Sequence, residues 1–177
     1  MRALRTPLCD LEPQVAAHAH EMFVVLGDPA IYEFENAPPE SEAWLAERYA
    51  RLESRCSVDG TERWLNWVVR LRTGELCGYV QATVLPSGEA YVAYELASRH
   101  WRRGLGSCAV RAVLAELASG YAVHTYLAVL KTCNFRSLAM LRHLGFTEAP
   151  EARVGASSIE PDELLMHLRA PGSRNVA

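Results

Sequence analysis

The chain has 177 residues, half of them hydrophobic and 22% charged, with a formal net charge of −3 and a pI near 6.1. This length and composition predict one globular domain at residues 1–170, followed by a flexible C-terminal tail at residues 171–177. The slight negative charge argues against a dedicated nucleic-acid-binding protein. No apolar run approaches the roughly 20 residues that cross a bilayer, and residues 1–8 lack a signal-peptide core, so we expect a cytoplasmic protein without membrane partners.

The cysteines are scattered along the chain. Their number is odd, and no pair has the C-x-x-C spacing. The pattern therefore favours neither a disulfide framework nor a zinc site, and we expect no metal cofactor. The five residues are Cys9, Cys56, Cys77, Cys108 and Cys133.

The first third of the chain is predicted to contain one short strand and two helices. Residues 4–8 form the strand, and a helix begins near Pro13, whose missing N–H costs nothing in a first turn. This helix ends at Gly27, and a second helix is expected over residues 41–55. The intervening loop, residues 31–39, is rich in aromatic and acidic residues.

From Arg63 onward the hydrophobic pattern changes from helical to strand spacing. Strands joined by tight turns at Gly74 and Gly88 are typical of an antiparallel meander. The predicted strands are residues 64–71, 76–85 and 90–97.

The second half of the chain alternates helices with strands. A helix is expected to run to about Ser119, with Gly120 as the residue that ends it. Helices beside one mixed sheet predict an α/β (α+β mixed) fold in a single domain. The remaining predicted elements are a strand at 122–130, a helix at 134–144, a strand from Phe146, an irregular stretch at 148–161 and a strand at 163–169.

The stretch Trp101-Arg102-Arg103-Gly104-Leu105-Gly106-Ser107 lies between a predicted strand and a predicted helix. Glycine permits positive φ and a close approach of a ligand. The first N–H groups of a helix have no partner within it, and the helix dipole adds partial positive charge there. We interpret the stretch as a pyrophosphate-binding turn, with Arg102 and Arg103 adding charge and Trp101 packed beneath it.

Gly104 to Ala109 also fits the G-x-G-x-x-A pattern of dinucleotide-binding proteins. That fold needs a strand running directly into the first glycine and an acidic residue at the end of the next strand. Here residues 98–103 intervene, and the next predicted strand ends in Val129-Leu130-Lys131, without an acid. The context therefore disfavours a dinucleotide-dependent oxidoreductase.

Two motifs together resemble the GNAT superfamily of N-acetyltransferases. The 101–107 stretch is similar to the family's acetyl-CoA loop, R/Q-x-x-G-x-G/A, with Trp101 at the first position. Tryptophan there resembles the ribosomal-protein N-terminal acetyltransferase (RimJ/RimL-like) branch. Downstream, residues 134–146 resemble the family's N-x-x-S helix that ends in L-G-F.

The resemblance implies a mixed, mostly antiparallel sheet of about six to seven strands, splayed at the cofactor site and flanked by about four helices. It also implies acetyl-CoA as co-substrate, with the pantetheine arm lying in the splay. Backbone groups of Leu96 and Ala97 would pair with the arm, and one N–H would hold the oxyanion. The implied cofactor-binding residues are Leu96, Ala97, Trp101, Arg102, Arg103, Gly104, Leu105, Gly106, Ser107, Asn134 and Ser137.

Catalytic residues are expected on the same strand and on the N-x-x-S helix. Ser137 would hydrogen-bond the sulfur region and return a proton to the thiolate. The position where many family members have a tyrosine acid is Leu141 here. Glu95 is the first candidate for the general base, because it is the lone acid in an apolar strand beside the expected reaction centre.

The acceptor site is predicted from the early loop and the same strand. Strand alternation places Tyr91 on the same side as Glu95. Glu33 and Glu35 lie in the loop that family members use to shape the acceptor site, and would recruit or deprotonate the amine. These three residues, Glu33, Glu35 and Tyr91, are the predicted substrate-binding residues.

The leading hypothesis is direct transfer of an acetyl group to a primary amine, on a protein N-terminus or a small molecule, by a monomer or homodimer. Two alternatives stay open. One is a non-catalytic acyl-CoA-binding sensor or partner module, and the other is an antibiotic-modifying acetyltransferase, which differs in its acceptor pocket.

Overall fold

The computed structural model describes residues 1–34, 36–150 and 159–170. In these residues, one mixed sheet has the strand order β1-β2-β3-β4-β5-β6-β8-β7 and is flanked by four α-helices. The strands are β1 (Leu4–Arg5), β2 (Cys9–Pro13), β3 (Arg63–Leu71), β4 (Leu76–Val84), β5 (Glu89–Leu96), β6 (Thr125–Lys131), β7 (Thr147–Glu148) and β8 (Glu163–Arg169). The helices are α1 (Ala19–Val25), α2 (Glu42–Leu52), α3 (Leu105–Tyr121) and α4 (Phe135–His143).

The sheet is antiparallel except at its centre. Strands β1 to β5 form a continuous meander, and β6, β8 and β7 pair antiparallel on the other side. The single parallel pair among the described strands, β5 with β6, joins Glu89–Tyr91 to Thr125–Leu127 and then stops. Beyond Tyr91 and Leu127 the two strands continue without pairing, which leaves a gap in the sheet. The predicted mixed α/β fold is confirmed.

The sheet has eight strands in the described residues, where six to seven were expected. The additional strand is β2, which lies between the predicted first strand and the helix that was expected to begin near Pro13. Residues 9–13 instead pair with β3, with Cys9 and Leu11 fully buried. Proline is tolerated there because it is the last residue of the strand, and α1 begins only at Ala19.

Helix α3 runs one residue past Gly120, which was wrongly expected to end it. The left-handed residue at the end of the helix is Ala122, with φ of 53°. A Cβ at Gly120 would lie 3.3 Å from the carboxylate of Glu116, which is buried and forms an ion pair with Arg2. The glycine therefore gives room to a buried carboxylate instead of ending the helix.

Both faces of the sheet are covered, so its central strands are apolar on both sides. One face packs against α3 and α4 and forms the larger core. The other face packs against α1 and α2, through residues such as Met22, Leu45 and Tyr49. Alternate residues of β5 therefore point to different layers: Val92, Tyr94 and Leu96 to the α3/α4 side, and Ala93 and Glu95 to the α1/α2 side.

None of the helices within the described ranges combines the length and apolar character that a membrane span requires.

Candidate active site

One continuous cavity of about 1070 Å³ runs through the gap between β5 and β6. At one end it is lined by the start of α3, including Gly104, Gly106 and Ser107. At the other end it reaches Glu95 and the segment between α1 and α2. A single space therefore connects the predicted cofactor turn with the predicted base.

The cofactor end is formed by the backbone of the 101–107 turn. Arg102 and Gly104 have positive φ, 59° and 75°, and α3 begins at Leu105. The first intrahelical bond runs from Cys108 N–H to the Gly104 carbonyl. The N–H groups of residues 105–107 therefore precede the helical ladder and are available to an anion.

The two arginines of the turn differ in position. Both side chains are exposed, but only Arg102 is among the described residues that line the cavity. Arg102 also has a positive φ, so its backbone conformation helps to form the turn.

Gly106 is required by the packing of α3 against its neighbours. A Cβ there would lie 2.9 Å from the Met140 sulfur of α4 and 3.4 Å from a methyl group of Leu96. The glycine lets the start of α3 approach both elements that border the gap.

The backbone of β5 presents Leu96, not Ala97, to the gap. Odd-numbered residues of β5 bond to β4, as in the 2.9 Å bond from Ala97 N–H to the Cys77 carbonyl. By the alternation of antiparallel pairing, the N–H of Leu96 points away from β4, into the gap. Of the two predicted backbone partners, Ala97 is therefore used within the sheet, and the Leu96 N–H remains as the candidate.

Trp101 packs against the larger core and fixes the end of β5. Its indole Nε1 donates a hydrogen bond of 2.7 Å to the Leu96 carbonyl. That carbonyl is thereby satisfied, and the Leu96 N–H is held in place beside it.

Asn134 and Ser137 both line the cavity at the start of α4. The Asn134 side chain caps the helix, accepting a 3.1 Å hydrogen bond from the Ser137 N–H. Leu141, at the position where the family tyrosine is absent, is 2% exposed and lines the same cavity.

Glu95 is partly buried and faces a set of tyrosines in the acceptor end of the cavity. Tyr79 lies directly across from it on β4. Burial, followed by the charge of Glu95, raises the pKa of Tyr79 well above its usual range. Burial raises the pKa of Tyr32 to about 12 and also raises that of Tyr49, and the Glu95 charge adds to both shifts.

Glu33, one of the predicted acceptor residues, forms an ion pair outside the cavity. It is exposed and pairs with Arg136 at the start of α4. The Arg136 guanidinium lies 4.4 Å from the ring centre of Trp101 and 5.3 Å from that of Phe34. Arg136, which the sequence analysis did not single out, thus connects the early loop to the cofactor end.

Of the other two predicted acceptor residues, the structure describes only Tyr91. Tyr91 is partly buried but is not among the described residues that line the cavity. Glu35 lies outside the described residues, as does the predicted tail at 171–177.

Asp28 fixes the position of the segment between α1 and α2. Its carboxylate accepts 2.6 Å and 3.1 Å hydrogen bonds from the N–H groups of Ser98 and Ala30. Burial alone would raise the pKa of Asp28, but these hydrogen bonds outweigh it and lower the pKa. Asp28, which follows the glycine predicted to end the first helix, thus attaches this segment to the end of β5.

Two further polar groups in the cavity were not predicted. The Gln14 Nε2 and Tyr94 Oη atoms are buried and have no hydrogen-bond partner within the described part of the chain. Both residues line the cavity. Strand alternation would have placed Tyr94 beside Leu96 facing the gap, whereas nothing in the sequence marks Gln14.

No group of three or more His, Cys, Asp or Glu side chains in the described residues is arranged to hold a metal ion.

The comparisons with known proteins agree with this geometry. Residues 10–147, more than half of the chain, match the family model described as the acetyltransferase (GNAT) domain. A comparison with curated proteins found no match.

Solved structures with the same fold include two ribosomal-protein acetyltransferases. RimL, the ribosomal L7/L12 alpha-N-protein acetyltransferase, solved in complex with coenzyme A, is 14% identical with a TM-score of 0.78, covering 97% of this chain and 99% of that one. The ribosomal-protein-S5-alanine acetyltransferase from Vibrio fischeri is 15% identical with a TM-score of 0.76, covering 98% and 99%.

A third structure contains the acetylated cofactor. The microcin C7 self-immunity acetyltransferase MccE, in complex with acetyl-CoA and AMP, is 13% identical with a TM-score of 0.73, covering 93% of each chain. These identities show a shared fold, and the family match extends over both sequence motifs. The chain belongs to the GNAT family of acetyltransferases, as its two motifs predicted, and is an N-acetyltransferase.

Proposed function

We propose that this protein transfers an acetyl group directly from acetyl-CoA to a primary amine bound beside Glu95. The observation that supports this proposal is the single cavity that joins the start of α3 to Glu95 through the gap in the sheet. Donor and acceptor can then occupy one space together, and holding them there provides much of the rate enhancement. No covalent enzyme intermediate is needed.

The cofactor end suits the pyrophosphate and pantetheine of acetyl-CoA. The N–H groups of residues 105–107 and the charge of Arg102 suit the phosphates. The Leu96 N–H, pointing into the gap, is suited to polarise the thioester carbonyl and stabilise the oxyanion, a donor worth about 3 kcal/mol of barrier.

The acceptor end suits a cationic amine. A protonated amine is attracted by the Glu95 carboxylate and by the faces of the surrounding aromatic rings. Glu95 then takes the proton that the nitrogen must lose, and Tyr79 lies directly across from it on β4.

The buried Gln14 amide favours an acceptor that carries a hydrogen-bond-accepting oxygen atom as well as its amine. Gln14 is 6% exposed, and its Nε2 has no partner among the described residues although it lines the cavity. A carbonyl oxygen of the acceptor would accept this hydrogen bond. A protein N-terminus or an amino-acid derivative meets that condition, whereas a simple polyamine does not.

The first test is thermal stability with acetyl-CoA, with NADH as the control ligand. A ligand at about 100 times its Kd adds roughly 2.7 kcal/mol to the folded state, so acetyl-CoA should raise the Tm and NADH should not. No shift with millimolar acetyl-CoA would overturn the proposal.

The second test is release of free thiol from acetyl-CoA with a panel of amines. Peptides with free N-termini and amino-acid amides should be acetylated faster than spermidine or putrescine. Binding of acetyl-CoA with no amine-dependent thiol release from any member would instead support the binding-module alternative.

A further inference from the structure

Tyr94 lines the same cavity as Leu141, the position at which many family members have a tyrosine. It lies three residues beyond Tyr91, the last β5 residue paired with β6, and so borders the gap. Its side chain is on the α3/α4 side of the sheet, in the same core cluster as Leu141, and both line the cavity. The Tyr94 phenol of β5 therefore borders the same cavity as Leu141, whose side chain ends in methyl groups and has no hydroxyl.

The hydroxyl of Tyr94 has no structural use in the described residues. Its Oη is buried and without a hydrogen-bond partner. The Ser137 hydroxyl is near enough to affect its pKa, although no hydrogen bond of good geometry joins the two. Buried tyrosine hydroxyls are normally paired, because leaving one unpaired costs stability. An unpaired hydroxyl that borders a ligand cavity indicates a partner supplied by the ligand.

We propose that Tyr94 donates a hydrogen bond to the sulfur atom of the bound thioester and stabilises the departing thiolate. The identity of the ligand rests on the function proposed above. Ser137, on the facing start of α4, is the neighbouring hydroxyl on the same sulfur region.

The reaction balances without a further reactant. The lone pair of the amine nitrogen forms the C–N bond, and the C–S bond then breaks with its electron pair on sulfur. The nitrogen, which binds as an ammonium, releases two protons through Glu95 to solvent, one before its lone pair can attack and one after the C–N bond has formed. One proton from solvent returns to the thiolate to give the free thiol. Tyr94 stays protonated throughout and acts by its hydrogen bond alone.

The protonation state of Tyr94 suits a permanent donor. Burial raises its pKa to about 12, with the Ser137 hydroxyl acting in the opposite direction. The phenol therefore remains neutral at every pH at which the enzyme is expected to work.

The test compares the binding of coenzyme A and desulfo-coenzyme A, which lacks the sulfur, to wild-type protein and Tyr94→Phe. A hydrogen bond to an anion is stronger than one to a neutral atom, so the effect should appear as the thiol ionises. At pH 9, Tyr94→Phe should weaken coenzyme A binding about tenfold and leave desulfo-coenzyme A binding unchanged. At pH 6.5 the two proteins should differ by less than about threefold.

The matched control is Tyr121→Phe. Tyr121 is partly buried at the far end of α3 and does not line the cavity among the described residues. This variant should bind both ligands as the wild type does at both pH values.

The stability of the unliganded variant separates this role from simple packing. Because the hydroxyl is unpaired, Tyr94→Phe should have a Tm equal to or above that of the wild type without ligand, and a smaller rise with coenzyme A. A lower unliganded Tm, or an equal loss of affinity for both ligands, would overturn the proposal. Failure of wild-type protein to bind coenzyme A would instead refute the function on which it rests.

Discussion

The cofactor end of the cavity is formed by one short stretch of chain, residues 101–107, whereas the acceptor end collects side chains from several distant elements. The cofactor end depends on backbone N–H groups and on two glycines at the start of α3. The acceptor end depends on Glu95 and on tyrosines from the 29–32 segment, α2 and β4. A site formed by backbone groups tolerates substitutions that keep the backbone conformation but not those that displace it. A site formed by side chains is sensitive instead to the chemical identity of each side chain.

The largest loss of catalytic activity is expected from a substitution at the acceptor end. Glu95→Gln keeps the shape of the side chain but removes the charge and the proton acceptor. We expect kcat/KM for the amine to fall about 100- to 1000-fold, with the Kd of acetyl-CoA unchanged. Steady-state kinetics and calorimetry measure the two quantities.

The matched control is Glu89→Gln, at the other end of β5. It should leave both quantities at wild-type values. A loss of acetyl-CoA affinity in Glu95→Gln would show that the acceptor end also contributes to cofactor binding.

For Gly106→Val, at the cofactor end, we expect the affinity for acetyl-CoA to fall. The introduced side chain would overlap the space of Met140, whose sulfur lies 2.9 Å from a Cβ at this position. Overpacking at this site costs about 1–3 kcal/mol and displaces the N–H groups of α3, so acetyl-CoA affinity should fall roughly 10- to 100-fold.

Gly120→Ala, in the same helix, is the control for adding a side chain to α3. Its Cβ would lie 3.3 Å from the Glu116 carboxylate, at the opposite end of α3 from Gly106. It should leave the affinity for acetyl-CoA unchanged. Wild-type affinity in Gly106→Val would argue against a cofactor site at the start of α3.

Arg136 connects the two ends and should therefore affect both. Arg136→Ala removes the ion pair with Glu33 and the stacking on Trp101. Since these contacts are partly exposed, we expect increases of only about two- to fivefold in both the amine KM and the acetyl-CoA Kd.

Arg142→Ala is the control, because Arg142 is an exposed residue of the same helix that pairs with Glu148. It should change neither constant. An effect of Arg136→Ala on one constant alone would assign Arg136 to that end only.

The smallest effect concerns the pH dependence of stability. His100 is 5% exposed, and its Nε2 lies 3.5 Å from a Glu75 oxygen without a hydrogen bond. Burial, followed by the charges of Arg99 and Arg103, lowers the pKa of His100, while Glu75 acts in the opposite direction. The unfolded chain then binds the proton more readily than the folded protein does.

The stability contributed by neutral His100 should therefore be complete above the unfolded pKa of about 6.5 and decline as the pH falls below it. Urea unfolding at pH 8 and pH 5.5 should show a smaller loss of stability in His100→Gln than in the wild type. His143→Gln, at an exposed position, should behave as the wild type. Equal losses in all three proteins would contradict the assignment.

The family and the cofactor end could be predicted from the sequence because their determinants are local. The glycines of 101–107 and the Asn134–Ser137 motif carry backbone conformations and a helix cap that a few adjacent residues define. The strands β3 to β5 were predicted for the same reason, since tight turns join neighbours. Strand β2 was missed because a local rule about Pro13 was outweighed by pairing with a strand some 58 residues away.

The acceptor end and the sulfur region depended on contacts between residues distant in the sequence. The pairing of Tyr79 with Glu95 requires the register of β4 and β5, and the attachment of Asp28 to Ser98 spans 70 residues. That the Tyr94 hydroxyl is buried without a hydrogen-bond partner in the described part of the chain follows from the packing around it. The sequence by itself therefore determined the family and the glycine-containing turn at the start of α3, because those follow from local backbone preferences. Only the tertiary structure decided which side chains line the two ends of the cavity, because burial and hydrogen bonding there result from packing of the whole sheet and its helices.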